Sequence, residues 1–551
     1  MLKLTPSRCL KVLPALALTL VFGWAAWERF RLPLTPLVDP DIGAYLNPGL
    51  NALLGEQFRD WFGQCFLYPW FLYFLLRIAG NFKWITLVQG LLGLATGALL
   101  FGCWMEFRRL LPTPRLPLWA FKLLGGALAG VYLFSATTIR FERTLRPEAV
   151  FPFIVILQVY CNLRFIRARF FEGEPSRFML SGALAIFLSV AASLLKPGFL
   201  AALVPANLPV IISLFWFGQP IWKRVLFPAG AVVAAALLLI RPESYLRHRD
   251  PAGSRYLSQS LFSVHADLIN KQMAEDVARH IGTPYPTEFL AATQTALTEA
   301  LGESRGENGR HWPALGFNGD YVRFGGSGKP PFLSGLTARL GSEDRTSEFC
   351  RYYYWRTVWG QPAGMAAKIA RQFVVFYWPW HCPAYYGSTS FSVAELYRET
   401  TSCLRVQPTV ARYPPGASLI ASAAALADSP LQIGPNKLTG LINRIMSVAH
   451  LYWCLWAVAL AVLAWRKPDL FAYRKVVLVL LLLYGYNFGT VLTLAIGHSL
   501  DVTRYSQYQY AYTILPDFVS IWLATEVFVV AKYWKRHRIQ SSQGEVRVST
   551  L

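Results

Sequence analysis

Two carboxylates separated by one proline, Asp39-Pro40-Asp41, stand just after the first long apolar run, and Tyr45 follows four residues later. A carboxylate held at a bilayer surface can serve as a general base toward a hydroxyl or as a ligand for a divalent cation. It can equally cap the helix that follows, so residue type alone leaves catalysis and capping open. The Asp-x-Asp spacing suits Mg²⁺ or Mn²⁺, which makes a divalent metal the one cofactor the pattern admits. Cations recur at three later points. Arg140, Arg143 and Arg146 stand alongside Glu142 and Glu148; Lys196-Pro197-Gly198 forms a turn; His498, Asp501, Arg504 and Tyr505 precede Tyr508, Tyr510 and Pro516. Guanidinium groups pair bidentately with phosphate oxygens, so these turns suit a lipid-linked phosphate, with lipid headgroups in general as the alternative.

Such residues act together only if the elements carrying them reach one side of a membrane. The 551 residues are 54% hydrophobic and 15% charged, whereas soluble domains carry about 25% charged residues. Much of this surface therefore faces lipid. Many of the 19 Trp and 26 Tyr stand near the ends of apolar runs, where interfacial side chains belong. The net charge of +22 does not argue for nucleic acid, because the basic residues are divided among short loops rather than gathered in a patch. Membrane lipids are the expected surroundings.

Runs near spanning length, about 20 residues, occupy 10–27, 84–106, 118–135, 147–163, 178–195, 199–217, 225–240, 442–465, 475–497 and 508–531. A further run, 66–79, is shorter and contains Pro69, as a re-entrant or interfacial helix would. If 66–79 stays outside, the basic clusters at 108–115, 164–169, 223–224, 466–475 and 532–538 share one face with Lys3, Arg8 and Lys11. The positive-inside rule makes that face cytoplasmic. About ten spans result, with both termini inside. The first run reads as an anchor rather than a cleaved signal, because Trp24, Trp27, Glu28 and Arg29 make a poor cleavage context.

Two polar regions are then expected outside: a first loop, 28–83, and a block, 241–440, large enough for its own domain. The loop carries an amphipathic stretch (Leu50, Leu53, Leu54, Phe58, Trp61, Phe62) suited to lie along the membrane. Aromatic clusters at 352–355 and 376–380 suit either sugar stacking or an interfacial belt, and the belt is preferred. Of eight cysteines, Cys9, Cys103, Cys161 and Cys454 read as buried small hydrophobes. Cys65, Cys350, Cys382 and Cys403 fall outside, where one or two disulfides can form. His265, His311 and His381 have no metal-ligand spacing, and P-loop, dinucleotide and Ser or Cys nucleophile signatures are absent. Charge within the spans is sparse (Lys122, Glu526, Lys532), too little for an ion relay.

The order of these motifs resembles the GT-C superfamily of polytopic glycosyltransferases, which includes protein O-mannosyltransferases and the lipid A aminoarabinose transferases. The resemblance rests on Asp41-x-x-x-Tyr45 after the first span, Leu54-Gly55, Tyr68-Pro69, Arg146-Pro147-Glu148, Lys196-Pro197, and Arg504-Tyr505 with Pro516 downstream. It covers residues 1–240 and 440–535, and leaves the external block without a counterpart. It implies an extracytoplasmic transfer of sugar from a polyprenyl-phosphate donor to a glycan or lipid acceptor. By that resemblance Asp41, with Asp39 second, is the base. Arg143, Arg146, Lys196 and Arg504 steady the departing phosphate, Tyr505 donates a hydrogen bond, and Arg140 and His498 are further candidates. The Asp-Pro-Asp start departs from the commoner Asp-Glu or Asp-Ser, which leaves open which carboxylate acts.

The expected fold is thus an all-α polytopic membrane protein, GT-C-like, with an external domain of mixed or unassigned class. Its parts are a transmembrane module 1–240, an extracytoplasmic domain 241–440, C-terminal helices 441–535 and a tail 536–551. The expected setting is a bacterial inner (plasma) membrane with the site facing the periplasm or exterior. A polysaccharide ligase or polymerase, or a lipid-linked glycan flippase or transporter, is the alternative; none of these requires paired aspartates ahead of a half-helix.

Overall fold

Helix accounts for 83% of the described residues. The computed structural model describes residues 6–548 except 59–65, 112, 174–178, 216–220, 250, 309–314, 327–328, 380–381, 386–389, 435 and 499–502. Trp61, Phe62, Cys65, His311, Trp380, His381 and Asp501, all singled out in the sequence, lie outside the described residues. Among those described, the only paired strands are Phe391–Ser392 and Gln432–Ile433, antiparallel and two residues each.

Each of the ten expected runs contains a helix among the described residues. Among the described residues, seven helices are long and apolar enough to span: Lys83–Leu110, Pro147–Glu172, Pro197–Leu214, Arg224–Leu246, Lys437–Arg466, Pro468–Gly497 and Tyr510–Val529. Leu118–Leu133 and Ala136–Arg143 make an eighth if taken as one span bent by 54°. The chain is a multi-pass, all-α membrane protein. Of the two remaining runs, Pro6–Phe30 is helical but is not among these spans over its described residues, and Met179–Leu195 is described over 17 residues as one of the shorter apolar helices. Leu67–Ala79, with 13 residues, is shorter still, about 20 Å, and cannot cross a bilayer alone.

The bend after Leu133 is a helix restart. Ser135 is extended, and its Oγ accepts from the Thr138 amide at 3.4 Å, capping the new helix. A buried ion pair fixes the new direction: Arg29, at the end of the helix Pro6–Phe30, donates to both oxygens of Glu142 at 2.6 and 2.8 Å. Glu142 lies so close to Gly93 that a β-carbon there would come within 2.0 Å of its carboxylate. The bent helix ends at Arg143, and the extended backbone beyond it pairs with the first loop. Leu37 N donates to Arg143 O at 2.7 Å, and Leu145 N donates to Leu37 O at 2.9 Å. This stitch brings Asp39 alongside Arg146.

The first loop continues into helix Ile42–Leu53, which packs on Leu67–Ala79 at Gly49, where a β-carbon would stand 3.2 Å from the Pro69 carbonyl. Tyr45 and Tyr68 meet edge to face, and the Tyr68 hydroxyl accepts from Gln89 at 2.7 Å. The described residues of the block 241–440 divide among cores, with Leu268, Tyr354 and Met365 forming a small one. Phe262, Ile269, Met273, Leu297, Phe349 and Tyr353 form one of their own. Phe376, Tyr385, Tyr397, Leu404 and Ile433 instead belong to the core of the spans. The aromatic clusters divide likewise: Trp355, Trp359 and Trp378 are exposed, whereas Phe376 and Tyr377 pack on His450 inside the span Lys437–Arg466. Cys350, Cys382 and Cys403 are free thiols, the first two each buried in one of these cores. Among the described residues they form none of the one or two disulfides that the sequence allows.

Candidate active site

The site is built from four chain segments that meet at the ends of spans. Asp39 and Asp41 come from the first loop, Arg146 and Glu148 from the start of Pro147–Glu172, Lys196 from the turn before Pro197–Leu214, and Arg504 and Tyr505 from the short helix Thr503–Gln507. Arg146 is the hub. Its Nε contacts Asp39, its Nη2 lies 2.7 Å from Asp41, and its Nη1 lies 3.7 Å from Glu148. Lys196 Nζ lies 2.7 Å from Glu148, and Arg504 donates to Asp41 at 2.9 Å and to the Tyr505 hydroxyl at 2.9 Å. Three carboxylates thus face three cations.

Burial sorts these groups into a base and a rim. The side chains of Glu148 and Arg146 are 1% and 5% exposed, whereas Asp41 is 41% exposed. Asp39 and Lys196 are mostly buried, and Arg504 is about one-third exposed. The buried triad of Glu148, Arg146 and Lys196 holds the two aspartates from below, and Asp41 with Arg504 faces outward. Electrostatics follow this division. Burial pulls the Lys196 ammonium and the Arg146 guanidinium below their usual ranges, against the pull of Glu148. Arg504 moves up although burial works against it, because the Tyr505 hydroxyl and Asp41 favour its charge. Burial pushes the Tyr505 hydroxyl up to about 12, so it remains a donor at neutral pH.

Capping does not account for Asp41. Its side chain makes no bond to the helix Ile42–Leu53 that it precedes, and its own amide donates to Asp39 Oδ1 at 3.1 Å. Nor does the donor set fit a divalent cation: each carboxylate already faces a guanidinium or ammonium, and the described residues hold no cluster of three metal-ligating side chains.

Arg143 and Arg140, placed at the phosphate by sequence, are elsewhere. Arg143 is buried and donates to the Pro33, Arg29 and Leu32 carbonyls, so its donors serve the first loop's backbone. Arg140 stacks over the Phe391 ring at 4.9 Å. His498 packs against the Tyr505 ring, 4.6 Å between centroids. Burial, with Lys196, Arg323 and Arg504 nearby, pushes its pKa down to about 4, so it is neutral.

Comparisons with family models, curated proteins and solved structures return no match. The arrangement therefore stands on its own geometry. Sequence reasoning named Glu148 without giving it a role, although Arg-Pro-Glu at a helix start was the available signal. It missed Tyr256, Asp320 and Arg323 of the external block, which line a small cleft with His498 and Tyr505. Burial raises the Asp320 carboxyl, and Arg504 and Arg323 partly offset that. Nothing in their spacing marks these three as neighbours of the last turn.

One further feature bears on a ligand. An apolar groove of about 1020 Å³ runs between the first helix, Leu118–Leu133 and Lys437–Arg466. It extends from Pro14 to Glu28, about 21 Å of helix, with Arg31 and Asn436 at the Glu28 end.

Proposed function

We propose that the chain is a glycosyltransferase that moves a sugar from a polyprenyl-phosphate donor to an acceptor hydroxyl at the extracytoplasmic face of the membrane. The observation that carries this reading is the meeting of an accessible, uncapped Asp41 with Arg504, over the buried base of Glu148, Arg146 and Lys196. A general base beside cations that can take a phosphate is what displacement at an anomeric carbon needs. The long apolar groove supports a lipid-linked donor over a soluble one. The GT-C resemblance agrees with this assignment and adds the carrier class.

Asp41 accepts the proton of the acceptor hydroxyl as its oxygen bonds to the anomeric carbon. The bond from that carbon to the phosphate oxygen breaks, and the phosphate leaves with the electron pair. Arg504, with Tyr505 beside it, meets the growing negative charge. Arg146 and Lys196 act from below and position the carboxylates. Arg143 and Arg140 have no part in the step.

The test is transfer by the full chain reconstituted in bilayers, using a panel of polyprenyl-phosphate sugars and both glycan and lipid acceptors. Asp41→Asn is expected to lower turnover at least a hundredfold while donor binding persists, and Asp39→Asn to have a smaller effect. Unchanged turnover in both variants refutes the assignment of the base.

A further inference from the structure

A chamber of about 380 Å³ lies between the bent helix, the start of Lys437–Arg466 and the last turn, within the size range of small-ligand sites. Phe134, Asn436 and Thr439 line both this chamber and the apolar groove, so the two spaces adjoin. On its other side Gln507 lines the chamber. Gln507 is three residues from Arg504 on the helix Thr503–Gln507, and side chains so spaced are neighbours. A molecule whose tail lay in the groove would have its head in this chamber, beside the short helix that carries Arg504.

The walls have a definite chemistry. They are rich in hydroxyls and side-chain amides, carry one guanidinium, and include no acidic side chain among the described residues. Asn443 uses its oxygen to accept from Tyr510 at 2.7 Å, which turns its amide hydrogens to other partners. The hydroxyls of Thr137, Thr138 and Thr439, and the Arg444 guanidinium, make no hydrogen bond or ion pair among the described residues. The carboxylate behind Tyr385, Asp517, is fully buried and accepts from Tyr385, Tyr484 and His450, so it is not offered to a ligand. Hydroxyls and amides match a polyol, whose groups both donate and accept. An ammonium here would find no acidic side chain in the described walls and would face the Arg444 guanidinium, a like charge.

We propose that this chamber selects the glycosyl headgroup of the donor, admitting a neutral or acidic sugar and rejecting a cationic amino sugar. The proposal rests on the lipid-phosphate donor reading and adds the sugar class to it. Asn443, Thr138 and Arg444 are its specificity-determining residues.

The test is direct binding to the full chain in nanodiscs, by native mass spectrometry with competition. The probes are three undecaprenyl lipids: the bare phosphate, the phosphate carrying glucose, and the phosphate carrying 4-amino-arabinose. The glucose lipid is expected to bind at least tenfold more tightly than either other lipid, and Asp41→Asn to keep that preference. Asn443→Leu and Thr138→Val should each erase most of the advantage over bare phosphate. Arg444→Glu, a surface change that leaves packing intact, should shift preference toward the amino sugar. Equal affinity for all three lipids, or a wild-type preference for the amino sugar, overturns the chamber assignment while the lipid-phosphate reading stands. If none of the three binds, both fall.

Discussion

Glu148 is the most deeply buried charge of the site and links Lys196 to Arg146, and Glu148→Gln measures what that link contributes. Its carboxylate is 1% exposed, 2.7 Å from the Lys196 ammonium and 3.7 Å from Arg146. The substitution keeps shape and one hydrogen-bond acceptor but leaves three cations facing two carboxylates, with Lys196 deprived of its partner. Breaking a buried pair by removing one partner costs about 3–5 kcal/mol. The retained acceptor puts the expected loss at the lower end, about 3 kcal/mol. Lys196→Met in the same chain removes the orphaned charge, so the double variant should recover about 2 kcal/mol of what the two single losses sum to. Unfolding free energy of purified protein in mixed micelles, followed by titration with a denaturing detergent, reads both numbers. A single variant within about 0.5 kcal/mol of wild type, or strictly additive single losses, would mean that the triad is not an energetic unit and the argument fails.

Three other outcomes follow from the same geometry. Arg143→Leu should cost about 2 kcal/mol or more in that unfolding assay, since three carbonyls lose their donor, yet leave donor affinity unchanged; Arg504→Ala should do the reverse, with a raised KM for donor. His498 has a folded pKa near 4 against an ordinary value of 6.5, so the folded state binds fewer protons between those values. Its contribution to stability is therefore present above pH 6.5 and is lost as pH falls toward 4; in unfolding titrations at pH 7, 6 and 5, His498→Gln should show a shallower decline than wild type. Trp359, 78% exposed, and Trp378, 58% exposed, should be quenched by lipids brominated near the headgroup; quenching by a water-soluble agent alone would place that face in solvent.

Much of the helical frame was legible, because a run of some twenty apolar residues in a chain with few charges has few other uses. Residues 178–195 look like a span to a hydropathy window; the described helix there, Met179–Leu195, is one of the shorter apolar ones and stops before Lys196-Pro197, where proline restricts the preceding residue to an extended backbone. The proximity of Asp39, Asp41, Arg146, Lys196 and Arg504 was readable from turns sharing a face. The exclusion of Arg143 was not, since no pattern of side chains reveals that the carbonyls of Pro33, Arg29 and Leu32 need a donor. The chamber was hidden because Asn443 and Arg444 fall at the very start of the apolar run 442–465 and read as its margin. The division of the external block was hidden too: Gly360-Gln361-Pro362 marks a helix break but does not say that the next helix joins the spans.

The bidentate pair between Arg29 and Glu142 also sets an order of events during synthesis. The partners are 113 residues apart, and translation proceeds at about 5–20 residues per second. For roughly 6–23 seconds at those rates, the first helix exists with an arginine that has no acid to meet. In that interval the guanidinium must remain hydrated at the bilayer surface, since sinking it unpaired into hydrocarbon is costly. The first helix therefore gains its Arg29–Glu142 pair only when the bent helix arrives. The Leu37 to Thr144 stitch, and with it the meeting of Asp39 and Arg146, waits on the same arrival. A truncation ending before Glu142 should insert its first helix yet leave Arg29 open to aqueous modification. Assembly of the site is thus timed by the ribosome.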